Sequence, residues 1–363
     1  MAVTTTTQIA APVNIVYQMT FLRNSKALCP YFTGTVPAEI SYHSGTFTAK
    51  WRRVEKLTAV TAALSELTGN ISFPTRIAVQ PSVTDITAVV SKYGNYILLN
   101  EEVDLLNFSG QTDKLVEILG MNAGQSLNRL QRNITEDNST AILSGVATTA
   151  SDISGAASAS GFLSRTLIAQ AVNTLNRNNA LKFRPMTSGS TVVGSAPIRD
   201  AYWGLCHSDT EEDIRNLTGF NSVETYAPQT AVEPGEFGAV GGVRFISTSE
   251  SSIDTGSGLG ATSSATTFGR QTATRYDIYN TVIYGRDAIG SLGFGAEHVK
   301  EAYMEGDKLP AALMIKHGRG SAGPADPLDE LSTLGWKSWH TGLILASGEV
   351  RNVRHSVTRL TSA

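Results

Sequence analysis

Residues 112–142 read TDKLVEILGMNAGQSLNRLQRNITEDNSTAI, with apolar side chains at Val116, Leu119, Ala123, Leu127, Leu130, Ile134 and Ala141. Steps of three, four or seven residues keep that stripe on one face of an α-helix. Asp113 suits the positive end of the helix dipole, and Gly110 allows a turn ahead of it. Gly145, near the expected end, tolerates the left-handed backbone of a cap. At ~1.5 Å per residue the rod is on the order of 45 Å long. Such a rod crosses a whole small domain, so other elements must lie along it. Gly120 and Gly124 inside it each cost about 1 kcal/mol relative to Ala, and they allow a strand or helix to approach closely.

The 363 residues suffice for two domains or one large interwoven domain. Charged residues are only 17%, and Thr, Ser, Ala and 33 Gly fill the difference. That mixture suits strands, loops and broad neutral contact surfaces. A net charge of −3 argues against electrostatic binding of nucleic acid as the chain's task. The tight basic cluster, Lys50, Arg52 and Arg53 with Lys56 nearby, is small enough to be a solvated strand face. Cys29 and Cys206 lie far apart without a second ligand at metal spacing, as expected of reduced, buried thiols. No basic-then-apolar leader and no apolar run of membrane-spanning length is found, which predicts a cytoplasmic protein.

Ahead of the long helix, a Thr-rich opening (Thr4 to Thr7) is expected to stay extended, with a short helix over residues 16–22 and an extended piece over 28–32. Phe47, Ala49 and Trp51 alternate with Thr48, Lys50 and Arg52, the period of a strand. A second extended run over 84–90 leads to Tyr93-Gly94-Asn95-Tyr96, where the Gly-Asn pair reads as a tight turn. A ribbon with so little core of its own is marginal alone, so it must rest on something else; a neighbouring copy would make the chain an assembly subunit.

Beyond the long helix, Ser164 caps a second helix to about Asn176, burying Leu167, Ile168, Ala171, Val172 and Leu175. Residues 182–194 read as a boundary, 201–206 as a strand and 213–217 as a helix. Residues 233–242 read as a Gly-rich turn feeding a strand at 243–246, and 250–273 as a surface loop. Strands are expected at 278–284, 311–316 and through the tail from Gly335 to Val357.

No convincing active site appears. Gly318-Arg319-Gly320-Ser321-Ala322-Gly323 has dinucleotide-turn spacing but runs into Pro324 and Pro327 instead of opening a helix. His207-Ser208-Asp209 reads as a turn and helix cap, because triads are assembled in space and not along a strand. Glu101, Glu102, Asp104, Asp326 and Asp329 read as solvated acids, and the six histidines are scattered without zinc spacing. A chain this long without a catalytic constellation is more often structural or binding than enzymatic.

Four stretches then carry a resemblance: ITAVVSKYGNYILLNEEVD (86–104), GEFGAVGGVRFISTSE (235–250), YNTVIYGRDAIGSLGF (279–294) and DPLDELSTLGWKSWHTGLIL (326–345). Their order resembles the major capsid proteins of tailed bacteriophages, in the branch typified by the coliphage N-four. The resemblance implies an α+β, Hong-Kong-97-like capsid fold with N-arm, extended loop, peripheral domain with long spine helix, and axial domain. Residues 1–40 would be the arm, 41–100 the extended loop and peripheral-domain strands, and 101–190 the peripheral domain with its spine helix. Residues 191–325 would be the axial domain and 326–363 the return to the peripheral domain.

The function implied is a self-assembling shell subunit, forming pentamers and hexamers of an icosahedral head around double-stranded DNA held without sequence specificity. An encapsulin-like protein nanocompartment is the alternative. No catalytic, cofactor or metal site is implied. Trp51, Arg52 and Arg53 are the candidate subunit-interface residues, while Trp336 and Trp339 are expected in the core. Partners would be further copies of the chain, with scaffolding, portal and decoration proteins as additional candidates and no membrane. No long scaffolding segment precedes the arm, so a separate scaffold is expected. The place would be the virion capsid, assembled in the host cytoplasm.

Overall fold

Long runs of β-branched and aromatic residues give this chain more strand than helix. The computed structural model describes residues 29–40, 48–55, 57, 61, 81–102, 111–156, 161–183, 200–225, 233–260, 269–272, 274–292, 312–318 and 327–358. In chain order the strands are β1 (Val36–Pro37), β2 (Glu39–Ile40), β3 (Thr48–Val54), β4 (Val83–Val89), β5 (Ser91–Asn100), β6 (Thr140–Leu143), β7 (Tyr202–His207), β8 (Asn221–Ser222), β9 (Glu236–Val240) and β10 (Val243–Thr248). They continue as β11 (Ile253–Asp254), β12 (Gln271–Thr272), β13 (Arg275–Tyr276), β14 (Ile278–Tyr284), β15 (Ile289–Ser291), β16 (Ala312–His317), β17 (Leu331–His340), β18 (Gly342–Ile344) and β19 (Val350–His355). Among the described residues the α-helices are a long one (Gln111–Asp137), a second (Arg165–Arg177) and a short third (Glu211–Arg215).

The largest sheet runs β6-β19-β14-β7-β10-β9-β8, with β11 also paired to β14. Every residue of β7 and β14 is buried, so the centre of this sheet is covered on both faces. One cover is the second helix, whose Leu167, Ile168, Ala171, Val172 and Leu175 meet Tyr202, Phe245, Ile283 and Val353. The other face packs Tyr31, Trp203, Leu205, Val282, Tyr284 and Ile289. Each such aliphatic or aromatic side chain contributes on the order of 1.5–3 kcal/mol. The expected Gly-rich turn is narrower than its sequence suggests. Residues 236–240 are already strand, and Gly241 and Gly242 alone make the hairpin, with φ of +64° and +86°. The expected surface loop from residue 250 likewise carries the short strands β11 and β12.

The second helix begins as read, with the Ser164 hydroxyl accepting from the Leu167 N–H at 3.3 Å. The long helix differs at its end. It stops at Asp137 and not near Ile142, because Asn138 Nδ2 donates to the Ile134 carbonyl and Ser139 Oγ to the Glu136 carbonyl. Thr140–Leu143 then pairs in parallel with β19 as β6. Gly145 is left-handed, at φ +68°, and turns the chain after that strand instead of capping the helix.

The buried stripe also changes character halfway along the long helix. Val116, Leu119, Ala123 and Leu127 are buried as read, but Leu130 and Ile134 are only half-buried. Asn128, Gln131, Thr135 and Glu136 are buried in their place.

A three-stranded sheet, β16-β17-β5, lies on the apolar half of the helix. Leu334 and Trp336 pack on Val116, Leu119 and Ala123, and Trp336 Nε1 donates to Asn122 Oδ1 at 3.0 Å. Here Gly94-Asn95 is not a turn. Strand β5 runs straight through it, with Gly94 opposite Lys337 and Asn95 opposite Trp336. A Cβ at Gly94 would lie 2.6 Å from the Trp336 carbonyl oxygen, so glycine serves close backbone approach and not chain reversal.

The third sheet, β2-β3-β4, is the root of the expected loop. Ala49, Trp51 and Val90 pack on Ala38, Leu292, Trp339, Leu343 and Leu345, so this root rests on its own chain. The extended piece expected at 28–32 is a 3-10 turn over Pro30–Phe32, started by Pro30 in its first position. The helix expected over 16–22, the boundary from 184 and the motif residues 319–323 lie outside the described residues.

Candidate functional site

The alternation of β3 sorts the three candidate residues into two environments. Trp51 is 3% exposed: its Nε1 donates to the Val36 carbonyl at 3.1 Å and its ring lies over Gly290. Arg52 and Arg53 stand on the exposed part of the strand. Arg52 Nε meets Asp85 Oδ1 at 3.0 Å, and Lys50 Nζ meets Asp85 Oδ2 at 2.6 Å. The hydrogen bond from Arg52, then that from Lys50, holds the Asp85 carboxyl down at about 2. Two cations on one carboxylate leave this face positive. Arg53 donates to the Leu345 carbonyl at 3.0 Å and to Glu55 at 2.9 Å, and with Thr84 it holds the Glu55 carboxyl below the usual carboxylate range.

Large apolar side chains are also exposed on β3, β4 and β5. Val89 is 73% exposed and Tyr96 70%, with Val83, Leu98, Val54 and Leu57 also exposed. Away from the long helix, the β16-β17-β5 sheet carries a groove of about 290 Å³ lined by Gly94, Tyr96, Ile315, His317, Thr333 and Gly335 among others. Large exposed side chains gathered this way mark a contact surface more often than a bare one. Sequence reading missed Tyr96 and Leu98. Their period of two was the available signal, and it was hidden once Gly94-Asn95 was taken as a turn.

The other flagged groups are structural in their surroundings. His207 Nδ1 accepts from the Asp209 N–H at 3.0 Å, the cap expected of His207-Ser208-Asp209. Asp209 accepts from Arg270 and from the Tyr279 hydroxyl, so it is tied to a cation and a phenol. The Glu101 N–H donates to the Glu330 carbonyl at 2.9 Å. Trp336 is buried and Trp339 half-buried. Cys29 and Cys206 are not disulfide-bonded. Among the described residues no group of His, Cys, Asp and Glu could hold a metal ion, and no helix is long and apolar enough to cross a membrane.

Comparison with solved structures places this architecture. Over 88% of this chain and 86% of the other, it is similar to the capsid of Ralstonia phage GP4, at 10% identity and a TM-score of 0.53. Over 91% of each chain it is similar to the head structure of Helicobacter pylori bacteriophage KHP40, at 12% identity and a TM-score of 0.53. The chain has the Hong-Kong-97-like capsid fold. A weaker likeness, with a TM-score of 0.42 and 9% identity over 78% of this chain and 81% of the other, is to the holo-SrpI encapsulin complex from Synechococcus elongatus. No protein-family model matches the chain, and no curated protein does.

Proposed function

We propose that the chain is the major capsid protein of a tailed double-stranded DNA bacteriophage. Its copies would assemble into pentamers and hexamers of an icosahedral head that encloses the genome. The observation that carries this reading is a capsid fold matched over 88% and 91% of the chain by two phage capsid proteins. Residues 1–40 act as the arm, 41–100 as the extended loop with its strands, 101–190 and 326–363 as the peripheral domain, and 191–325 as the axial domain. Strands β6 and β19, from outside 191–325, complete the sheet of the last.

The neighbour-facing surface is assigned to Arg52 and Arg53 on β3 and to Tyr96 and Leu98 on β5, while Trp51 holds β3 from beneath. Interfaces of obligate assemblies exceed ~2,000 Å², which a broad, weakly charged surface can supply. The near-neutral net charge of −3 suits a shell that holds DNA without gripping particular sequences. Scaffolding, portal and decoration proteins are the further partners of such a subunit, the virion its destination and the host cytoplasm its place of assembly. It does no catalysis in this role.

Negative-stain electron microscopy with size-exclusion chromatography tests the reading. Closed shells, or capsomer rings that close with a candidate scaffold, support it. A monomer or dimer that never assembles overturns it, and particles filled with protein instead of nucleic acid redirect it to a nanocompartment. Tyr96→Glu is expected to abolish assembly while leaving the unfolding free energy of the subunit within ~0.5 kcal/mol of wild type.

A further inference from the structure

Three neutral side chains meet at a joint of the fold, buried and short of partners. Asn128 and Gln131, one turn apart on the long helix, are fully buried, and His340 at the end of β17 is 3% exposed. Asn128 Oδ1 accepts from the Tyr31 N–H at 3.1 Å, which fixes the amide and leaves Nδ2 as a donor. That Nδ2 has no hydrogen-bond partner among the described residues, nor has either end of the Gln131 amide, nor His340 Nε2. The His340 ring is hydrogen-bonded to the Leu292 backbone, whose N–H already donates to the Thr341 carbonyl at 2.9 Å. The ring therefore donates from Nδ1 to the Leu292 carbonyl, and Nε2 is a bare acceptor.

A closed circuit of contacts brings these atoms together. Tyr31, bonded to Asn128, precedes Phe32, whose ring lies edge-on to His340 with centroids 5.6 Å apart. Two residues past His340, Gly342 turns bare backbone toward the helix, and a Cβ there would collide with Gln131 Oε1. Gln131 and Asn128, three residues apart, are neighbours on the helix surface with about 5–6 Å between β-carbons, which closes the circuit. Glycine at 342 thus admits the Gln131 amide beside the other two heads.

Polar heads buried in this way cost free energy unless something bonds them. Together they offer two donors, Asn128 Nδ2 and Gln131 Nε2, and two acceptors, Gln131 Oε1 and His340 Nε2. Either orientation of the Gln131 amide supplies one of each. An anion would leave the two acceptors unpaired, and a metal ion the two donors. Water gives two hydrogen bonds and takes two, and so suits the mixture.

We propose that the joint between the long helix, the Pro30–Phe32 turn and the link from β17 to β18 is a water-binding site, in which ordered water bridges Asn128, Gln131 and His340. Buried waters make about three such bonds each. The bridge ties the turn ahead of β1 and the returning C-terminal strands to one stretch of helix, so three segments distant in sequence share one polar joint. The site lies within one chain and forms whether or not copies assemble.

A density map of the full-length wild-type chain, as subunit or as shell, at ~2 Å or better is the direct test. It should show a solvent peak within about 2.7–3.2 Å of His340 Nε2 and of at least one of the two amides. No peak there, or a direct bond between Gln131 and His340, would overturn the site. So would a peak ringed by oxygens alone at about 2.3–2.6 Å, the signature of a metal ion. Gln131→Met keeps the length and flexibility of the side chain and removes its two polar atoms. It should raise the unfolding equilibrium constant about 10-fold in urea titrations, because the bridging water loses partners. A constant that is unchanged or smaller, as expected where a dry amide gives way to a thioether, would overturn the site. Should the variant not fold, the wild-type map decides the matter alone.

Discussion

At Gly290 a missing β-carbon leaves room for the Trp51 ring, which holds β3 in place. A Cβ there would lie 2.6 Å from the Trp51 ring, in the middle of a three-stranded sheet where neither strand nor indole has room to yield. Gly290→Ala should therefore cost about 1–3 kcal/mol as an overpacked site. Gly242 makes the useful contrast, since a Cβ there meets nothing within 4 Å and only its φ of +86° opposes a side chain. Gly242→Ala should cost about 1–2 kcal/mol, all of it conformational. Urea titrations at unchanged m-value measure both. The two can be told apart by pairing each with Trp51→Leu: removing the indole should relieve the Gly290 variant and leave the Gly242 variant unchanged. If Gly290→Ala proves neutral, Trp51 is free to shift and does not anchor the loop root. Trp51, read from sequence as a contact residue, thus has its surface turned inward, while Arg52 beside it faces solvent.

Elements were readable where one physical signal dominated. The second helix carries a capping serine and an unbroken 3.6-residue stripe, and it forms at Arg165–Arg177 with that stripe buried. Ser164→Ala should cost about 1 kcal/mol by freeing the Leu167 N–H, and Ser164→Gly only a few tenths; equal losses for the two would mean that the hydroxyl bond contributes little. The long helix was readable in its first half for the same reason. Its second half buries Asn128, Gln131, Thr135 and Glu136, and periodicity in apolar residues cannot see a polar face. Strand β5 failed differently. Gly-Asn is a turn signal when the chain must reverse and a close-approach signal when a neighbouring backbone presses in, and local sequence does not distinguish the two. That one reading hid Tyr96 and Leu98, the apolar part that β5 contributes to the candidate surface.

Across the whole molecule, two buried histidines tie stability to pH. His355 sits in the central sheet, where Nδ1 contacts the Ser356 carbonyl at 2.9 Å and Nε2 contacts Thr281 Oγ1 at 2.8 Å. A carbonyl can only accept, so the proton is on Nδ1 and Nε2 accepts from the threonine; a second proton would break that bond. His340 ends β17, edge-on to Phe32 with the ring centroids 5.6 Å apart. Burial pushes both imidazoles down to about 4. The unfolded chain, with ordinary histidines, takes up protons first as pH falls. Stability is therefore full above about pH 6.5, declines as pH drops toward 4, and levels off below it, by up to about 3 kcal/mol per histidine. Urea midpoints between pH 7 and 4 should fall for the wild-type chain and fall less for a His340→Gln, His355→Gln double variant. A wild-type midpoint that stays flat over that range would mean that the two imidazoles reach solvent in the folded protein.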